Sequence, residues 1–478
     1  MKIIIVGAGI SGCAAYLSLQ KHLPQAPGDE HSYKIYEAYD TSRDTNFRER
    51  TDATADSGEE STRSATLVVG GGLGLGPNGL NVLKRLDESL YRETVRSGYP
   101  YSNFKIRSAY GWTLMDVSAT AEIDGQTMKS VAMSRHSIWK VLRDRIPDDV
   151  IVNKKISRVI VRGSPSKKHL IEFTDGSEPV EADLVLGADG LKSTVKRALF
   201  DTESAEQDPY PPQYEGLTGV GGFHTVTESL RKHIPKGTMT ITFGGNGFFG
   251  YMYSSSAATD DHQDSPSHLP TPGDTITWWS TYGIDECPDP KTVDKSAINQ
   301  DLKARHANWK DPVIQEIIAS VEVETMWPTW TTPELPVWYK DGVVLLGDAA
   351  HALPPTSGQG SGQALEDVES FSLFLSYYLR KAYQDIRKEF PEKEAIQLAA
   401  KKYMELREPH VKAILDEARQ RQQSKKSMNI VQEFIMYLFL YLVGCFASAN
   451  PSKEFKEYNV ADEVQKILLE ENDNESVG

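Results

Sequence analysis

The chain has 478 residues, with 52 Lys plus Arg against 67 Asp plus Glu and a formal net charge of -15. That length exceeds what one compact core holds and implies about two to three domains, while the acidic balance argues against a nucleic-acid partner and reads as solubility. Cys13, Cys287 and Cys445 stand far apart without CxxC spacing, which indicates neither a disulfide framework nor a zinc site; no metal is expected, and a reducing, cytoplasmic compartment fits best.

Lys2 to Val6 is an apolar strand that runs into Gly7-Ala8-Gly9-Ile10-Ser11-Gly12 and then into a helical pattern from Cys13 to Lys21. This is the dinucleotide fingerprint in its strand, turn and helix context. Gly7 permits the tight turn, Gly9 lets backbone approach a pyrophosphate, and Gly12 allows close packing of helix on strand. No secretory signal is legible, because Ile3 to Val6 is too short an apolar run. The ribose acid expected at the end of the next strand is Glu37 in Tyr33-Lys34-Ile35-Tyr36-Glu37. It lies somewhat beyond the usual ~20 residues, because the turn-rich stretch Pro24 to Ser32 lengthens the connection.

Asp40 to Arg63 is polar and reads as a long mobile loop. Thr66 to Leu80 carries Gly70, Gly71, Gly72, Gly74 and Gly76, with Pro77-Asn78 placed to start a helix over Gly79 to Leu90. Strands are expected at Ala109 to Met115, Ile156 to Val161 and His169 to Phe173, and a helix after Ser134 as N-cap. Asp183 to Gly187 reads as a buried strand, broken by the turn at Asp189-Gly190 before a helix over Leu191 to Leu199. Tyr214 to Trp330 alternates apolar and polar residues and predicts a mainly β region, with Ser254 to Asp274 as a surface loop. Gly342 to Ala350 returns to the buried parallel-strand pattern, and Glu366 to Ser427 is nearly all helical. Phe434 to Ala447 is an apolar run short of the ~20 residues needed to cross a bilayer. It predicts a buried or surface-docked helix. The basic cluster Arg419, Arg421, Lys425 and Lys426 keeps peripheral membrane contact through 434–447, and so membrane association, as a second option.

Three separated motifs, Gly7-x-Gly9-x-x-Gly12, Gly187-Ala188-Asp189-Gly190 and Gly347-Asp348-Ala349-Ala350-His351 followed by Gly358-Gln359-Gly360-Ser361-Gly362, occur in this order. Together they resemble the FAD-dependent aromatic hydroxylases of the p-hydroxybenzoate and salicylate hydroxylase type, including the fungal secondary-metabolism branch. The resemblance implies an α/β chain, α+β overall: a Rossmann-like FAD-binding domain (1–200, returning at 336–370), an inserted mainly β substrate-binding domain (201–335), and a C-terminal helical region (371–478). It implies non-covalent FAD. By it, Gly7, Gly9, Gly12, Glu37, Gly71, Gly72, Arg135, Asp189, Gly347, Asp348, Gly360 and Ser361 are cofactor contacts. Asp348 can accept from a ribityl hydroxyl, and the glycines expose N–H groups at a helix start. The family's Asp-Gly-x-x-Ser-x-x-Arg pattern here ends in Lys196. Lysine keeps the charge but loses the planar fork that grips phosphate, so NADPH and NADH remain equally open as reductant.

The resemblance further implies that NADPH or NADH reduces FAD, that O₂ adds at the flavin C4a position, and that the hydroperoxide passes one oxygen atom to a small organic substrate. Hydroxylation, epoxidation and Baeyer-Villiger outcomes, on aromatic, polyketide or terpenoid scaffolds, all fit that chemistry. A closed, apolar site is required, and Phe249, Tyr251, Trp279 and Pro354 are expected at the substrate. Tyr214 is the candidate to orient or deprotonate a phenol, set against a purely structural hydroxyl. The alternative class is a flavin-dependent reductase or dehydrogenase that inserts no oxygen; a non-enzymatic FAD-binding membrane protein is more remote.

Overall fold

A computed structural model describes residues 1–28, 30–42, 71–163, 167–202, 207–258, 269–289, 292, 294–323, 326–385, 390–422, 428–446 and 453–477. The expected loop beyond Ser42 and the start of the glycine-rich stretch before Gly71 lie outside these residues, as does the middle of Ser254 to Asp274.

One sheet runs in the order Ile151–Asn153, Ser32–Glu37, Lys2–Val6, Leu184–Gly187, Val343–Leu345, Tyr339–Lys340. All neighbours are parallel except the last pair. Ile3, Ile4, Ile5, Leu184, Val185, Leu186, Val343 and Val344 are fully buried, as a parallel sheet covered on both faces requires. The helix Ile10–His22 packs against the long helix Gly360–Gln384, which pairs with Glu392–Gln422 and, at its far end, with Val460–Val477.

The second sheet has the order Trp327–Thr331, Gln213–Thr225, Thr275–Gly283, Gly247–Tyr253, Thr238–Gly244, Asn103–Ser108, Thr113–Ser118. Its pairings are antiparallel apart from Thr238–Gly244 with Asn103–Ser108. Residues 103–118 thus join a sheet otherwise built from residues 213–331. Chain order had grouped them with the first part.

Three expected elements differ in detail. The strand at Ala109 to Met115 is a turn followed by Thr113–Ser118: Gly111 has φ +90 and donates to the Ser108 carbonyl at 2.9 Å, which closes the chain on itself. The helix over Gly79 to Leu90 is two helices, Pro77–Leu86 and Glu88–Arg96. Asp87 breaks it because its carboxylate caps the second, accepting from the N–H groups of Ser89 and Leu90. The helix at Leu191 starts only at Thr194, where Ser193 caps it at 2.8 Å from the Lys196 N–H. The cap expected at Ser134 is present, with its hydroxyl accepting from the Ser137 N–H at 2.9 Å.

Candidate active site

The parallel strands end on one edge. Register aligns Val6 with Tyr36 and Gly187, and Gly187 with Leu345, so Gly7, Glu37, Ala188-Asp189 and Gly347-Asp348 all leave the sheet on the same side. A crevice beyond the carboxyl ends of parallel strands is where open α/β sheets take ligands. The turns touch: a Cβ on Gly7 (φ +98) would meet the Ala188 carbonyl at 2.4 Å, and one on Gly347 would meet Ser11 Oγ at 2.6 Å. Glu37 accepts from the Ala8 N–H at 2.7 Å and from the Tyr39 N–H at 3.0 Å, which leaves half of its acceptor capacity open. Trp139 donates to the Ala8 carbonyl at 2.8 Å and pins the helix Arg135–Arg143 beside the glycine turn.

Ten of the described helix starts divide into two groups. Those at Glu88, Arg135, Thr194, Glu228, Lys295 and Pro312 each have a side-chain cap. Those at Ile10, Pro77, Asp348 and Gly360 have none, and three of the four N-caps are glycines. Their first N–H groups lack intrahelical partners. Three of these starts follow from the motifs at Gly7, Gly347 and Gly360, while the fourth packs against them through Gly79 and Gly362. Around them space is open: a Cβ added at Gly9, Gly190, Gly358 or Gly360 would find nothing within 4 Å. The Asp348 side chain is exposed. Unpaired helix N-termini, an exposed carboxylate and empty space beside glycine backbone suit an anionic dinucleotide.

The other motif residues divide between open and occupied positions. Gly71 accepts from the Arg135 N–H at 3.0 Å, and Arg135 is exposed; Gly72 pairs with Ser134. Asp189 turns its carboxylate inward, accepting from Ser193 Oγ at 2.5 Å and the Thr194 N–H at 2.6 Å, and burial raises its pKa. It therefore offers a ligand its backbone, not its charge. Lys196 is fully buried in an ion pair with Asp208 at 2.8 Å and cannot reach out for a phosphate from there.

Behind the Gly347 turn lies a buried charge cluster that the sequence reading missed. Asp367 accepts from His351 Nε2 at 2.5 Å, Arg407 Nε at 3.0 Å and the Gly347 N–H at 2.9 Å. Glu366 pairs with Arg407 at 2.7 Å and accepts from Asn78 Nδ2 at 2.5 Å. Burial pushes Asp367 up, but the facing His351 and Arg407 more than offset it and hold its carboxyl below the usual range. A signal for the cluster was present: Glu366, Asp367 and Glu369 crowd little more than one helical turn around Leu365 and Val368, so they cannot all face solvent.

The two faces of the seven-stranded sheet are covered differently. Phe249 and Tyr251 were expected at the substrate, but both sit on the face covered by the helices Lys295–His306 and Pro312–Ser320. Phe249 stacks on Trp278 at 5.4 Å, and the Tyr251 hydroxyl donates to Asp311 Oδ2 at 3.1 Å. Strand alternation puts neighbours on opposite faces, and that register was not visible in the sequence. Trp279 lies on the other face, half-buried with Ile241 and Phe104 over Met239 and Met252. Directly across from it stand Gly221 and Gly250; a Cβ on Gly250 would come within 2.2 Å of the indole. The same face meets the strand Gly72–Leu75, where a Cβ on Gly72 would strike Thr277 at 2.1 Å. Pro354 is buried just past the Asp348 turn. The Tyr214 hydroxyl donates to the Ile284 carbonyl at 2.8 Å, and burial raises its pKa to about 12; this is the bonding of a structural hydroxyl.

A family model described as FAD binding domain matches residues 164–401. The salicylate hydroxylase of Pseudomonas putida is 24% identical over 426 residues, covering 86% of this chain and 82% of that protein. The 6-methylsalicylate 1-monooxygenase of Aspergillus terreus is 24% identical over 63% of this chain and 64% of its own length. Among solved structures, HpxO of Klebsiella pneumoniae, complexed with FAD and uric acid, superposes with a TM-score of 0.66 at 18% identity, covering 98% of this chain and 97% of that one. The chain belongs to the FAD-dependent aromatic hydroxylase family.

This flavoprotein is accordingly a monooxygenase with FAD as its cofactor. The residues present fit that cofactor: the crevice joins uncapped helix starts to the open glycines 9, 190, 358 and 360 and to two carboxylates with free acceptor capacity, Glu37 and Asp348. Among the described residues no helix is long and apolar enough to cross a membrane.

Proposed function

We propose that this flavoprotein uses NADPH or NADH and O₂ to hydroxylate or epoxidise a small apolar molecule of aromatic, polyketide or terpenoid type. The observation that carries the reading is the meeting of uncapped helix starts, open glycines and the Asp348 carboxylate at the edge of the parallel sheet, with the neighbouring strand Gly72–Leu75 packed on the sheet face that carries half-buried Trp279 and Ile241. Bound FAD would supply the chemistry: two electrons from NAD(P)H and O₂, with one oxygen atom going to the substrate and the other leaving as water.

The chain's own part is binding and enclosure. The N–H groups at the start of Ile10–His22 hold pyrophosphate, with Gly7, Gly9 and Gly12 shaping the turn. Glu37 takes the ribose hydroxyls with its open lone pairs, and Asp348 the ribityl chain. The Gly360-Ser361 backbone and Gly347, with Gly71, Gly72, Arg135 and the Asp189 backbone, would hold the rest of the cofactor. Trp279 and Pro354, with Ile241, give the substrate an apolar wall that keeps water out. Tyr214 is not among the acting groups, since its hydroxyl is spent on Ile284. The segment 434–447 gives a peripheral contact with a membrane.

The test is to purify the chain, record its flavin spectrum, and screen compounds that stimulate NAD(P)H consumption under ¹⁸O₂. Label in the product supports the reading. Substrate turnover under nitrogen, with a reduced and unlabelled product, sinks it in favour of a simple oxidoreductase.

A further inference from the structure

The helix Ile430–Phe446 has two unlike faces. On the inner one, the Tyr437 hydroxyl donates to the Phe243 carbonyl at 2.8 Å and accepts from the Ala109 N–H at 3.3 Å. Glu433, the helix's sole charged residue, is buried there, and Met436 and Leu440 pack, as Ile241 and Phe243 do, against the buried cluster of Ile106, Leu114 and Tyr437. The outer face carries Val431, Phe434, Ile435, Leu438, Phe439 and Leu442, all exposed, Phe439 by 64%. Beside it Tyr110 and Trp112 stack at 5.4 Å, and the Phe434 ring lies 5.5 Å from Tyr110. Trp112 is 51% exposed. Contiguous apolar surface on this scale is rare on a protein that meets only water.

We propose that this outer face, with Tyr110 and Trp112, is the surface by which the protein lies on an anionic lipid bilayer. The inference rests on the peripheral contact proposed above and specifies its geometry. At about 1.5 Å per residue the 17-residue helix is too short to span and is pinned along the sheet by Tyr437, so it lies in the interface plane. Lipid fits better than a protein partner. The outer face offers almost no polar group, whereas a protein interface carries about one hydrogen bond per 100–200 Å². A Tyr and Trp pair at the margin is the composition of a membrane-water boundary. In a chain of net charge -15, Arg421, Lys425 and Lys426 precede this helix directly, supplying the positive charge that anionic headgroups attract. Ile241 packs against the same buried cluster as this inner face, and also on the sheet face proposed above for substrate. An apolar substrate dissolved in the bilayer would arrive one helix away from the site.

The experiment uses the full-length FAD-loaded protein in flotation with phosphatidylcholine vesicles, with and without phosphatidylserine. Wild type is expected to float, more with phosphatidylserine and less at high salt. Ile435→Glu combined with Phe439→Glu is expected to lower partitioning at least about tenfold, with Trp112→Ser lowering it too, and with flavin absorbance and NAD(P)H oxidation unchanged, since these side chains are exposed and none is among the proposed cofactor or substrate contacts. Wild type that floats equally well with the double variant overturns this surface while leaving membrane contact itself intact. Wild type that never floats overturns both, and a wild-type dimer that the double variant splits into monomers without vesicle binding assigns the face to a second copy.

Discussion

Asp367, fully buried in the long helix, accepts a hydrogen bond at 2.9 Å from the N–H of Gly347, the residue before the Asp348 carboxylate. The flavin-side turn is thereby tied to the core by a charge that itself leans on Arg407 and His351. Asp367→Asn keeps the shape but replaces one acceptor oxygen with a donor that faces either Arg407 or His351. Breaking a buried pair in this way leaves an uncompensated charge and costs about 3–5 kcal/mol. We expect the denaturant midpoint of the apoprotein to fall accordingly and FAD to bind more weakly, measured by flavin fluorescence titration. An unchanged midpoint would show that the cluster does not hold the turn.

The glycines of the crevice divide into those that serve the fold and those that serve the ligand. A Cβ at Gly12 would lie 1.9 Å from the Gly7 carbonyl, whereas one at Gly9 or Gly360 would meet no protein atom within 4 Å. Gly12→Ala is therefore expected to cost the apoprotein about 1–3 kcal/mol through overpacking. Gly9→Ala and Gly360→Ala should leave apoprotein stability within about 0.5 kcal/mol yet weaken FAD at least about tenfold, or 1.4 kcal/mol. Thermal melts with and without FAD separate the two classes. Equal losses of apoprotein stability in all three would refute the division.

What the sequence revealed follows from the range over which its signals act. The Gly7, Asp189 and Asp348 motifs are local, each a strand end, a turn and a helix start within about a dozen residues, and all three gather at one sheet edge. Phe249 and Tyr251 fell on the unexpected face because strand register depends on partners far along the chain. The joining of Asn103–Ser108 to Thr238–Gly244 leaves no local trace for the same reason. Asp208, which takes Lys196 out of reach, is a tertiary partner that no pattern around Lys196 announces.

Trp279 should prove more sensitive to its glycine neighbours than to its own strand. Gly250 lies directly across from it, and a Cβ there would come within 2.2 Å of the indole. Gly250→Val must displace the ring from its place. The expected result is normal FAD content with KM for the best substrate raised about tenfold, equivalent to 1.4 kcal/mol of lost binding. Phe249→Leu, on the opposite face, is expected to lower stability without changing substrate preference. If Phe249→Leu alone shifted preference, the assignment of faces would be wrong.

Stability should fall in mild acid, and buried histidines give the sign. His306 is 1% exposed, its Nδ1 2.8 Å from the Leu302 carbonyl, and burial lowers its pKa from 6.5 to about 4. Burial, with Arg407 close by, takes His410 down to about 3. Both are neutral in the folded protein, while in the unfolded chain they titrate near 6.5. The unfolded state therefore binds more protons below that pH, and the stability present above 6.5 drains away as pH falls toward 4 and then 3. Each histidine contributes a slope of up to about 1.4 kcal/mol per pH unit in that window, so a step from pH 6.5 to 5.5 should cost about 1–3 kcal/mol. Urea midpoints at the two pH values measure it. His306→Gln, which keeps a polar group beside Leu302 and Ser280 but cannot titrate, should flatten the dependence in part; a pH slope identical to wild type would mean that protonation of His306 is not what acid exploits.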